Sequence, residues 1–183
     1  MSVAQWFLLV AGSLLLLAIS ARALGAPRSH GFYRFFGLEA TLGLVALNVP
    51  AWFVDRFGLH QLVSWGLLFV SLYLLIAAVR MLRRAGVDPS RGDPALLDFE
   101  RTGALVRSGI YARIRHPMYA SVILLAWGVM LKAPSPAAIV LALAATAFMI
   151  ATARVEEREC LSHFGAAYAR YRARTGMFVP ARR

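Results

Sequence analysis

Long apolar runs dominate this chain, at Val3 to Ala21, Phe35 to Val54, Leu62 to Val79, Met118 to Leu131 and Ala137 to Ala153. About 20 such residues span the roughly 30 Å hydrocarbon layer as a helix, and lipid leaves a backbone no other way to satisfy its hydrogen bonds within one segment. The chain is therefore predicted to be an all-α, polytopic membrane protein of one domain with about five transmembrane helices. The fourth run is short, but Ile114 to Lys132 reaches across if Lys132 snorkels. Runs four and five are joined only by Ala133-Pro134-Ser135-Pro136, which requires a tight antiparallel hairpin. Composition agrees, with 60% hydrophobic residues and only 16% charged ones, against about 25% charged in soluble domains.

The net charge of +11 would suggest nucleic acid in a soluble chain, but its distribution points to topology instead. With the N-terminus outside, 18 of the 20 basic residues face the cytoplasm, leaving only Arg56 and Lys132 outside. Met1 to Gln5 carry no basic residue, so the first run reads as a retained helix rather than a secretory signal. The expected layout is three transmembrane helices in residues 1–84, a cytoplasmic connection at 85–116, a transmembrane hairpin at 117–153 and a cytoplasmic helix and tail at 154–183. A bacterial-type inner membrane fits this arrangement.

The densest chemistry lies at Arg115-His116-Pro117-Met118-Tyr119. Proline favours the first position of a helix, so Arg115 and His116 stand beside the positive end of a helix dipole. That sign is unfavourable without an anion, which is either a ligand or a carboxylate from elsewhere in the chain. His116 and Tyr119 are three apart and share a helix face. Just upstream, Thr102 to Tyr111 is too apolar for a linker and is expected to fold against the membrane core. No glycine-rich dinucleotide or phosphate loop is present. The single cysteine, Cys160, excludes an intrachain disulfide and reads as a small packed residue; no Cys/His cluster has metal-ligand spacing.

Beyond the fifth run, Leu161, Phe164, Tyr168 and Tyr171 follow at helical spacing, predicting an amphipathic helix on the cytoplasmic interface. Glu156 and Glu157 precede it, where the hairpin brings them near Arg115 and His116. A carboxylate, an Arg, a His and the rings of Tyr111 and Tyr119 beside a membrane cavity suit a zwitterion with a flat ring. S-adenosylmethionine has those parts.

Gly103 to Val106, Gly109-x-Tyr111, Arg115-His116-Pro117-x-Tyr119, Glu156-Glu157, Phe164-Gly165-x-x-Tyr168-x-x-Tyr171 and Pro180 together resemble the isoprenylcysteine carboxyl methyltransferase and phospholipid methyltransferase family of integral membrane enzymes. The resemblance covers Thr102 to Pro180. It implies a cytoplasm-facing pocket for S-adenosylmethionine, leaving S-adenosylhomocysteine as product. Gly103, Ala104, Leu105 and Val106 would line the cofactor; Tyr111, His116, Pro117, Met118 and Tyr119 would hold its adenine and amino-acid ends; Glu156 would take the ammonium. Arg115 would serve a carboxylate of cofactor or substrate, with Arg154 a nearby second cation, and Glu157 or Tyr119 would be the base if an amine is methylated. Glu39, placed near the cytoplasmic end of helix two, would shape the acceptor cavity or pair with a loop arginine. The acceptor is expected to be lipophilic, entering from the bilayer, and no nucleic acid is involved. The prenylcysteine enzymes carry a His where this chain has Gly103 and a substrate-binding Arg where it has Thr152, which argues against a prenylcysteine acceptor. A membrane NADPH-dependent reductase of the sterol type and a small transporter are the alternatives. The Glu156-Glu157 pair disfavours the first, and charges gathered at one membrane face disfavour the second.

Overall fold

The structure is a computed structural model that describes residues 1–55, 57–86 and 105–181. Six helices are present among them: α1 (Val3–Leu24), α2 (His30–Asn48), α3 (Leu59–Ala85), α4 (Pro117–Met130), α5 (Pro136–Phe164) and α6 (Ala166–Arg172). The predicted all-α class holds. α1, α3 and α5 are long and apolar enough to cross a membrane. α4 is apolar but its 14 residues reach only about 21 Å.

Helix two differs from the predicted run. It starts at His30, where the Ser29 hydroxyl accepts the Phe32 N–H at 3.3 Å, and ends at Asn48. Pro50 sits in the 3₁₀ turn Val49–Ala51 that follows and has no N–H with which to extend the α-helical ladder. The chain then turns before α3. Ser135 caps α5 by accepting the Ala138 N–H at 3.2 Å, with Pro136 at the first helical position, so the hairpin between α4 and α5 closes as its sequence requires.

α5 holds the bundle together through small residues. Ala138, Ala142 and Ala145 recur at helical spacing, are fully buried, and pack with Leu44 of α2 and Ala126, Val129 and Met130 of α4. At Gly37 a Cβ atom would lie 2.3 Å from the end of Met149, so α2 and α5 approach closely there. Between lipid-embedded helices such contacts, with interhelical hydrogen bonds of about 0.6 kcal/mol each, replace the hydrophobic drive available in water. Asn48 donates to the Val129 carbonyl at 2.8 Å, Ser64 to Gly128 at 2.6 Å and Ser71 to Ser121 at 2.7 Å.

Two other expectations change. Lys132 does not snorkel: it is 2% exposed, its Nζ donates to Gln61 at 3.0 Å and it lies 3.6 Å from the Trp65 ring centre. A cation–π contact and an amide replace water at that end of the hairpin. The fifth helix also does not stop near Ala153. It continues to Phe164 and breaks at Gly165, whose φ of +52° lies in the left-handed region that glycine tolerates best. Leu161 and Phe164 therefore belong to α5, and Tyr168 and Tyr171 to the short α6. The single amphipathic interfacial helix is replaced by a bent pair, and both tyrosines are buried.

After α6 the chain returns to the mouth of α4. Gly176 N–H donates to the Arg113 carbonyl at 3.1 Å, while Arg115 and His116 donate their N–H groups to Gly176 and Met177 at 2.9 and 3.0 Å. Ile114 and Gly176 form a parallel β-bridge. Phe178 and Met177 then pack onto Tyr119, Met149 and Ala153.

Candidate active site

The tail answers the electrostatic question posed by the α4 mouth. The backbone N–H groups of Arg115 and His116 are taken up by tail carbonyls, which accept both. The carboxylate comes from α5. Arg115 Nε donates to Glu157 Oε1 at 2.7 Å, and Nη1 donates to the carbonyls of Arg172, at 3.1 Å, and Thr175. The two charged side chains are 9% and 6% exposed, so this is a buried, hydrogen-bonded ion pair that also anchors the tail.

His116 sits between both carboxylates. Its Nδ1 is 3.4 Å from Glu156 Oε2 and its Nε2 is 3.5 Å from Glu157 Oε1, the latter a charge contact without hydrogen-bond geometry. Its ring stacks on Tyr119 at 5.5 Å and 11°. Burial pushes the imidazole pKa down, but the bond to Glu156 and the charges of Glu156 and Glu157 outweigh burial, and the net shift is upward. A histidine whose pKa is raised on folding adds stability below its unfolded value near 6.5 and loses it as pH rises through the folded value. The melting temperature of the detergent-purified protein should therefore fall above neutral pH. His116→Gln should flatten that part of the profile; an unchanged profile would remove His116 as its source.

These residues line a cleft that is partly open to solvent. Its wall contains Leu105, Val106, Tyr111, Arg115, His116, Pro117, Met118, Tyr119 and Glu156, each singled out in the sequence. Gly103 and Ala104 lie outside the described residues. Glu157 stands behind the wall, engaged by Arg115 and His116. Two expected residues are elsewhere. Arg154 is exposed and does not line the cleft, because two positions of α5, about 200° of helix, separate it from the cleft-lining Glu156. Glu39 is not near an end of α2 but mid-helix, since that helix begins at His30; it accepts a 2.7 Å hydrogen bond from Ser13 of α1.

Sequence reasoning missed Leu82, Cys160, Phe164, Tyr168 and Tyr171 as lining residues. Glu156, Cys160 and Phe164 recur every fourth residue, a spacing that points to one face of a continuous α5. Cys160 is thus a lining residue and not merely packing. The Tyr171 hydroxyl donates to the Tyr111 carbonyl at 2.7 Å, tying α6 to the turn before α4. Burial raises the pKa of the Tyr168 and Tyr171 hydroxyls, which stay neutral. The cleft thus offers one partly exposed carboxylate among aromatic rings and aliphatic side chains.

A model of the phospholipid methyltransferase family matches residues 59–167, which include α3, α4, α5 and the cleft's carboxylates. The chain belongs to that family. Among phospholipid methyltransferase family relatives, it is 25% identical over 150 residues to "Methanethiol S-methyltransferase" of Pseudomonas deceptionensis, covering 82% of this chain and 51% of that protein. It is 30% identical over 133 residues to "Methanethiol S-methyltransferase 2" of Bradyrhizobium diazoefficiens, covering 73% of this chain and 48% of that protein. The chain spans about half the length of the curated relatives it matches. No solved structure matches it.

Proposed function

We propose that this chain is an S-adenosylmethionine-dependent methyltransferase acting on a lipophilic, membrane-partitioned acceptor. The observation that carries this reading is the cleft itself, in which Glu156 faces a cavity walled by Tyr111, Tyr119, Phe164, Tyr168 and Tyr171. S-adenosylmethionine combines an ammonium, a cationic sulfonium and a flat adenine, and when bound it supplies a methyl group already activated for transfer. Glu156 would hold the ammonium, and the rings would take the adenine and flank the positive charge. Leu105, Val106 and Met118 would exclude water from the reacting centre, leaving alignment of the acceptor as the main catalytic contribution. Family membership supports this assignment over a reductase, whose NADPH phosphates would meet a carboxylate at the wall.

The acceptor is a thiol or an amine ahead of a carboxylate. Arg115 is engaged by Glu157 and by tail carbonyls, and Arg154 lies outside the cleft, so neither cation expected to hold an anionic acceptor is placed to do so. The names of both relatives fit a thiol. A thiolate needs no base. Glu157, bound to Arg115, is poorly placed to act as one, which leaves Tyr119 as the candidate for an amine. The basic connections support a cleft on the cytoplasmic side, with the N-terminus outside, in a bacterial-type inner membrane.

Calorimetric titration of detergent-purified protein with S-adenosylhomocysteine and, separately, with NADPH tests the cofactor. Saturable binding of the first and none of the second is expected; the reverse pattern would overturn the methyltransferase reading. Methyl transfer from labelled S-adenosylmethionine to an alkanethiol, phosphatidylethanolamine and a prenylcysteine then ranks the acceptors, with the prenylcysteine expected last.

A further inference from the structure

His30 opens α2 and is 1% exposed. Its ring Nδ1 is joined to Glu159 Oε2 of α5, and its backbone N–H donates to Oε1 of the same carboxylate at 3.2 Å. One α5 side chain therefore grips both the first residue of α2 and an otherwise unpaired N–H of its first turn. Glu159 lies three residues after Glu156, and residues so spaced share a helix face. A clasp at Glu159 consequently sets the rotation of the α5 turn from which Glu156 projects. His116 meets Glu156 from the α4 side at 3.4 Å.

We infer that His30 is a positioning residue for the cofactor carboxylate: through Glu159 it fixes the α5 turn so that Glu156 faces the cleft. The inference rests on the reading of Glu156 as the cofactor's ammonium partner. Space filling alone does not explain His30. Its Nε2 is buried with no hydrogen-bond partner, a cost that a phenylalanine in the same place would avoid.

The test is titration with S-adenosylhomocysteine of His30→Phe, His30→Gln, Glu156→Gln and the double variant His30→Phe/Glu156→Gln. His30→Phe should weaken binding about tenfold and raise KM for S-adenosylmethionine more than it lowers kcat. His30→Gln, which keeps a donor for Glu159, should restore most of the affinity. In the Glu156→Gln background His30→Phe should add little. Parent-like affinity in His30→Phe, or the same loss with and without Glu156, would overturn the positioning role. If Glu156→Gln itself binds like the parent, the ammonium assignment fails instead. Should His30→Phe not yield folded protein, Glu159→Gln breaks the same clasp from its 32% exposed side and carries the same expectations.

Discussion

Replacing Glu156 by glutamine should weaken S-adenosylhomocysteine binding by at least about 30-fold, the equivalent of about 2 kcal/mol. Glutamine keeps the shape of the side chain and removes its charge. In the proposed complex this charge faces the ligand's ammonium at a wall where the side chain is only 26% exposed, so water cannot substitute well for it. The same change deprives His116 of one of its two carboxylates, but Glu157 remains 3.5 Å from Nε2, and the fold should survive. Calorimetry reads the affinity, and a parallel melting curve separates it from stability. Binding within about threefold of the parent, with unchanged melting, would transfer the ammonium to some other group and remove the central contact of the proposed site.

The largest stability loss should follow Arg115→Ala. It strands Glu157 at 6% exposure, with His116 and the more exposed Arg172, 3.5 Å away, as its remaining cations, and removes the donor from the Thr175 carbonyl. Breaking a buried pair from one side costs about 3–5 kcal/mol, a large share of a typical folding free energy of 5–15 kcal/mol. Arg115→Lys should rescue little, because one ammonium cannot reproduce the fork that reaches Glu157 and the tail together. The paired variant Arg115→Leu/Glu157→Leu should recover much of the loss, since it leaves no buried carboxylate stranded without its guanidinium. Thermal melting in detergent measures all three. If Arg115→Ala melts close to the parent, the pair is not what holds the tail.

How far the sequence spoke can be judged element by element. The hairpin was legible because four residues between two apolar runs allow one geometry. The α4 mouth was legible because Pro117 marks a helix start, and charges placed there demand counter-charges that Glu156 and Glu157 could supply. The extent of α5 was not, since the shift to charged residues at Arg154 marks where the helix leaves the apolar layer and says nothing about where it ends; Gly165 decides that. The parallel pairing of Gly176 with Ile114 has no local signature, as it joins segments about 60 residues apart through backbone groups that every residue possesses. His30 and Glu159 escaped for a similar reason: neither belongs to a motif, and their meeting depends on the packing of α2 against α5. The sequence points Lys132 to water because lysine usually goes there, whereas Trp65 and Gln61 provide an enclosed alternative.

The return of Gly176 and Met177 to the start of α4 also sets a sequence of events in biosynthesis. Arg115 leaves the ribosome about 60 residues before the partners that cap it. α1 to α5 can enter the bilayer first, while the cleft still lacks the wall supplied by α6 and the latch behind it. The pocket is thus a late product of translation, finished only after the α4–α5 hairpin has been laid down.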